Sequence, residues 1–231
     1  GQVVHPETGT PQGGIVSPVL ANLYLHYALD LWFDRVVRRH VHGKALIIRY
    51  ADDWVCAFQK EDDAQRFYQM LPERLKKFSL EVAEEKTNCL HFSRTRLGKG
   101  SRFSFLGFEF SWDYDRKGLP RVKRRTSPKK LQGACRRIKT WIKENRHLPK
   151  REFVHGLNRR LKGHYNYYGI IGNGRSINRF YRWAMACTFK WLNRRGGTRR
   201  SFTWDAFWRA VSRGLFHPPR IIGRVGRNVY A

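Results

Sequence analysis

Apolar residues recur along this chain at spacings that change character about half-way. Leu20, Leu23, Tyr24, Tyr27 and Leu31 follow Ser17-Pro18 at helical intervals. A hydroxyl at the cap and proline at the first helical position mark a helix start. The pattern predicts a helix with one apolar face running to about Arg39. Ala45–Tyr50 and Trp54–Phe58 are short runs rich in β-formers, with Ala51–Asp53 between them. They read as a hairpin carrying acids at its turn. Asp62–Phe78 reads as a helix interrupted or restarted at Pro72. Leu80–Ala83, Asn88–Phe92 and Phe103–Phe110 are strand-like. Ser127-Pro128 repeats the helix-start signal, and helices are expected near 128–145, 150–168, 176–194 and 203–213. Gln2–Gly14, rich in Gly, Pro and Thr, reads as a loop or hairpin. The fold class is therefore α/β (α+β) first and all-α afterwards.

Charge sharpens that division. Of the 231 residues, 46 are Lys or Arg and 18 Asp or Glu, a formal net charge of +28. Residues 1–120 hold 17 bases against 15 acids, whereas residues 121–231 hold 29 against 3. Two functional units are expected, 1–120 and 121–231, meeting near the turn-like Asp113–Gly118 stretch. A second half so poor in acids points to a nucleic-acid partner rather than to a solvated face. Cys56, Cys89, Cys135 and Cys187 are scattered, which argues against a zinc site or a disulfide framework. No apolar run reaches membrane-spanning length and no signal-peptide pattern opens the chain, so a cytoplasmic protein without a membrane partner is expected. The first residue is Gly1, inside a loop-like stretch, and the chain reads as a piece of a longer protein.

The strongest chemical signal is Tyr50-Ala51-Asp52-Asp53. Adjacent carboxylates at a hairpin tip repel each other unless a cation intervenes, and a hard ion with oxygen ligands, Mg²⁺ above all, suits them. Two such ions can serve phosphoryl transfer, one at the attacking hydroxyl and one at the leaving pyrophosphate. An ordinary surface turn could also carry Asp-Asp, so context decides. Upstream stands Thr10-Pro11-Gln12-Gly13-Gly14-Ile15-Val16-Ser17-Pro18; downstream stand Glu85-Lys86-Thr87 and Phe105-Leu106-Gly107-Phe108. In this order the four blocks resemble the successive motifs of the reverse transcriptase palm. The resemblance implies metal-binding and catalytic roles for Asp52 and Asp53. It places Tyr50 and Ala51 beside the primer end, Gln12, Gly13 and Gly14 near nucleotide and template, and Lys86 near the triphosphate. Phe105, Leu106 and Gly107 would position the primer. Lys86 as a plain surface lysine, and Phe105 and Phe108 as core residues, are the simpler alternatives.

The cationic half carries a second resemblance. Leu157-Asn158-Arg159-Arg160-Leu161-Lys162-Gly163-His164-Tyr165-Asn166-Tyr167-Tyr168-Gly169, continued by Arg179–Arg195 and Ser201–Trp204, resembles the thumb and maturase-specific domain of group II intron proteins. The resemblance implies RNA-directed DNA synthesis coupled to splicing, with group II intron RNA, an RNA template, a DNA primer and deoxynucleoside triphosphates as partners. Candidate RNA contacts are Arg124, Arg125, Lys129 and Lys130; Arg136 and Arg137; Arg159, Arg160, Lys162 and Tyr167; and Arg179, Arg182 and Lys190. Bases neutralise phosphates and interleaved aromatics stack on unpaired nucleobases. About half of the aromatics are expected to be core instead, and His164, with no nucleophile near it in sequence, is expected to be structural. The family's further metal-binding aspartate lies upstream of the Pro-Gln-Gly block, as do its fingers. This chain alone is therefore expected to be inactive and to need the N-terminal half of the polymerase. A non-enzymatic RNA-binding splicing factor is one alternative; a retron or CRISPR-associated reverse transcriptase is another.

Overall fold

Residues four apart build most of the helices. The computed structural model describes residues 16–94, 102–115, 117–194 and 202–222. The chain divides into two units, Gly1–Ser93 and Arg94–Ala231. The packing boundary thus lies well before the change in charge at 120/121, because residues 103–126 belong with the helices that follow.

In the first unit, helix α1, Ser17–Leu25, runs on through π-helical turns at His26–Asp30 and Phe33–Val37 to the short α2, Arg38–His40. Val16, not Ser17, holds the cap position. The buried side chains are Ala28, Leu29, Trp32, Phe33 and Val37. Leu20, Leu23, Tyr24 and Tyr27, expected to form the apolar face, are exposed. The widened π turns rotate later residues relative to earlier ones, so one helical stripe cannot extend through both. Strands β1, Ala45–Tyr50, and β2, Asp53–Phe58, pair antiparallel, with Tyr50 opposite Asp53. Helix α3, Glu61–Lys76, opens with Glu61, Asp62 and Asp63, which suit the positive end of the helix dipole. It buries Phe67, Leu71 and Leu75 against Phe33, Ile47, Trp54 and Phe58. Pro72 does not break it: the carbonyl it leaves unbonded belongs to Tyr68, on an exposed face where water can serve. Residues 80–92 form no strand. Leu80 and Val82 pack on the core without a ladder, and Glu84–Lys86 is a 3₁₀ turn.

The second unit opens with a meander of β3, Phe103–Phe105, β4, Phe108–Tyr114, and β5, Pro120–Thr126, all antiparallel. Phe103–Phe110, expected as one strand, is two strands with a turn between. β5 was not anticipated at all. Four helices follow: α4, Pro128–Asn145; α5, Lys150–Tyr168; α6, Gly174–Leu192; and α7, Trp204–Ser212. Ridges of Ala134, Ile138 and Ile142, of Phe153, Leu157, Leu161 and Tyr165, and of Ile177, Phe180 and Ala184 meet in one core. Among the four cysteines, Cys89 is exposed, Cys187 is buried, and Cys56 and Cys135 lie between. Burial pushes the Cys56 thiol up to about 12. No helix among the described residues is long and apolar enough to cross a membrane.

His164 belongs to this core. Its ring stacks on Phe180 at 3.7 Å between centroids, and its Nε2 is buried with no hydrogen-bond partner among the described residues. Burial, aided by Arg137, lowers its pKa from 6.5 to about 4. A lowered folded-state pKa means that stability is fully present above 6.5 and is lost as pH falls toward 4. The expected loss is about 2 kcal/mol at pH 5. Six of the eight tryptophans lie in this unit, so urea melts read by indole fluorescence follow it. The native chain should weaken between pH 7 and 5, and His164→Phe should remove most of that dependence.

Candidate nucleic-acid interface and catalytic turn

The β1–β2 turn is two residues long, Ala51 and Asp52. Ala51 has φ +54°, and Asp52 is not among the positive-φ residues, the pattern of a type II′ turn. Such a turn normally takes glycine first, so alanine there is held under strain of about 1 kcal/mol or more. What holds it is Arg49. This inward-facing strand residue donates to the Ala51 carbonyl at 3.0 Å and to Asn22 Oδ1 at 2.9 Å. It also grips Asp30 with both arms of its guanidinium, at 2.9 and 2.7 Å. That hydrogen-bonded pairing holds the Asp30 carboxyl below the usual carboxylate range against the opposing effect of its burial.

Asp52 and Asp53 follow this clamped residue and are both exposed. Neither enters an ion pair among the described residues. Two carboxylates on a braced turn with their oxygens free fit a hard divalent cation. No group of three metal-ligating side chains occurs among the described residues. Tyr50 projects beside them and is exposed. Lys86 ends the 3₁₀ turn and is exposed; no contact joins it to Asp52 or Asp53 among the described residues. Gln12, Gly13 and Gly14 lie outside the described residues. Arg49, Asp30 and Asn22 escaped the sequence reading. The one available signal was a guanidinium at an inward position of an otherwise apolar strand. Replacing Arg49 with Met should cost about 2 kcal/mol, since Asp30 loses its charged partner. Thermal melting of the variant beside the parent chain checks it.

In the second unit, Leu106 and Gly107 form the tight turn between β3 and β4, both at positive φ, +49° and +77°. That is the type I′ geometry a two-residue hairpin favours. Both carbonyls of the turn are engaged: Tyr167 Oη donates to Leu106 at 2.9 Å, and the Ser127 amide to Gly107 at 3.0 Å. A Cβ on Gly107 would stand 3.1 Å from Tyr168 Oη, so the residue is also a point of close approach. The Tyr167 ring stacks on Phe108, 5.9 Å between centroids, while remaining exposed. Its hydroxyl is thus committed to the turn, whatever its open face meets. Phe105 is half-buried in β3. Below the turn, buried Asn173 accepts from the Thr126 amide at 2.9 Å and donates to Thr126 Oγ1 and the Tyr168 carbonyl at 2.8 Å each.

The candidate RNA contacts spread over β5, α4, α5 and α6. Arg124, Lys129, Lys130, Arg136, Arg137, Arg159, Lys162, Arg179, Arg182 and Lys190 are exposed, and Arg125 and Arg160 half-buried. None of them makes an ion pair among the described residues; the unit's two pairs are Arg102–Glu109 and Lys123–Asp113. Trp191 gathers three further cations, Lys143, Arg146 and Arg194, each 5.5–5.7 Å from its ring centroid.

Residues 2–110 match the family of reverse transcriptases (RNA-dependent DNA polymerases). Beyond that match, the chain is similar to a group II intron-encoded protein. It is 27% identical to the group II intron-encoded protein LtrA of Lactococcus lactis subsp. cremoris over 75% of this chain, and equally to that protein of strain MG1363. The chain spans 41% of the length of these curated relatives.

Proposed function

We propose that this chain contributes the acidic turn and the RNA-gripping helices of an RNA-directed DNA polymerase that also serves its intron RNA as a splicing maturase. In this reading residues 1–120 form the C-terminal part of the palm and residues 121–231 the thumb and maturase-specific domain. Asp52 and Asp53 hold Mg²⁺, which when bound supplies positive charge to the reacting phosphates. Arg49 fixes the direction of both carboxylates. Tyr50 and Ala51 border the primer terminus, Lys86 and Gln12 with Gly13 and Gly14 serve the nucleotide, and Phe105, Leu106 and Gly107 brace the primer strand. Template, primer, nucleotides and intron RNA are the partners, in a cytoplasmic ribonucleoprotein. The observation that carries the catalytic half is the pair of unpaired carboxylates on a turn braced by Arg49. The candidate RNA contacts of residues 121–231, none of them in an ion pair among the described residues, support the other half.

The test has two arms. Template-directed extension with Mg²⁺ should require the chain's acidic turn in an assembled polymerase. Binding to a folded group II intron RNA, a duplex and a single strand is then compared as salt rises. Affinity should fall steeply with salt through counterion release, yet retain a preference for the intron RNA. Equal affinity for all three at high salt would reduce the maturase role to generic polyanion binding.

A further inference from the structure

Between the C-terminal part of α4 and the first half of α5 lies a groove of about 550 Å³, well within the size range of small-ligand sites. Trp141, Asn145 and Leu148 line one side, and Arg151, Glu152, His155, Arg159 and Arg160 the other. The Arg160 guanidinium lies 4.1 Å over the Trp141 ring and donates to the Gly156 carbonyl at 3.1 Å. Its plane is therefore fixed, and most of its N–H groups remain available. Gly156 is what lets the indole approach: a Cβ there would stand 2.7 Å from Trp141 Cζ2. Arg159 stands next to Arg160, and neither meets a carboxylate among the described residues, although Glu152 shares the groove. Burial and Arg159 both lower the pKa of Arg160, as two uncompensated cations at one site require.

Two guanidiniums without a counter-charge in a concavity attract an anion. The Trp141 ring stacks on Phe153, 5.5 Å between centroids, and carries Arg160 over it, so its edge, with Leu148, forms the apolar wall. Arg151, His155 and the second amide N–H of Asn145, whose first is spent on the Trp141 carbonyl at 2.8 Å, can donate, and Asn145 Oδ1 and Glu152 can accept. We propose that this groove binds one unpaired nucleotide of an RNA, phosphate on Arg159 and Arg160 and base against Leu148 and the edge of Trp141. The proposal rests on the RNA-binding reading above and gives it a place.

The experiment uses the full chain containing 5-fluorotryptophan, with the Trp141 ¹⁹F resonance assigned by Trp141→Phe. Total binding is followed in parallel by anisotropy of a labelled oligonucleotide. Oligoadenylate should shift the Trp141 resonance saturably. Arg159→Gln, on an exposed side chain, should weaken the oligoadenylate effect about tenfold, and Arg160→Lys should weaken it while keeping the charge. A Trp141 resonance that stays fixed while anisotropy shows RNA bound would overturn the groove and leave the RNA-binding reading standing. A shift by inorganic phosphate equal to that by oligoadenylate would make this an anion site and overturn the nucleotide claim. Absence of any RNA binding would overturn both.

Discussion

Asp52→Ala is expected to lower template-directed nucleotide addition by on the order of a thousandfold in a polymerase containing this chain, while leaving its fold intact. The two halves of that expectation have different physical sources. The carboxylate is exposed and makes no ion pair among the described residues, so its removal should cost the native state little. The turn is braced from the other side, by Arg49 on the Ala51 carbonyl, and does not depend on the Asp52 side chain. Chemistry is another matter, because a charge placed at the reacting phosphates is among the largest contributions a polymerase site makes. Single-nucleotide incorporation measured against Mg²⁺ concentration, with a thermal melt of the same preparation, separates the effects. Undiminished incorporation by the variant would remove Asp52 from the site. A lowered melting temperature with proportionate loss of activity would mean that the acid is structural.

The largest stability effect is expected at Asn173. Its amide is completely buried and makes three hydrogen bonds, two to Thr126 at the end of β5 and one to the Tyr168 carbonyl at the end of α5. Asn173→Leu has nearly the right volume but leaves the Thr126 amide and hydroxyl and the Tyr168 carbonyl without that partner. Loss of about 3–4 kcal/mol is expected, the sum of a few unsatisfied buried groups. Asn173→Asp keeps the acceptor and should fall between. Because Thr126 pairs with Phe108 in the ladder, the amide of Thr126 should also exchange hydrogen faster. Urea melts read by tryptophan fluorescence and exchange at Thr126 check both, and a loss below about 1 kcal/mol would show that water replaces the amide freely.

The helices of the second half were legible because their burial repeats every four residues. Ala134, Ile138 and Ile142 are as visible in the sequence as in the core. The hairpin at Asp52 was legible too, since Asp-Asp between two β-rich runs leaves few other shapes. β5 was not. Pro120–Thr126 has Val122 as its one aliphatic residue, and even that is exposed. Its pairing with β4, not its composition, makes it a strand. Leu80–Ala83 failed the other way, its alternation serving contact with the core without a neighbouring strand. Pro72 reads as a break only if its helix face is unknown. At the acidic turn the two carboxylates announce themselves, whereas their brace does not. Nothing in spacing connects Arg49 with Asp30 and Asn22, because the link runs between a strand and a preceding helix. Tyr167 shows the same limit, since an exposed aromatic looks like a stacking platform until its hydroxyl is found on the Leu106 carbonyl.

The unequal burial of the four thiols has a practical use. A maleimide reacts with thiolate, and burial keeps Cys56, Cys135 and Cys187 protonated well above neutral pH. Cys89 is the exposed one, three residues beyond Lys86. A single fluorophore can therefore be attached there without first deleting the other cysteines. It would test, in real time and on an otherwise native chain, the proposal that a nucleotide arrives beside that lysine.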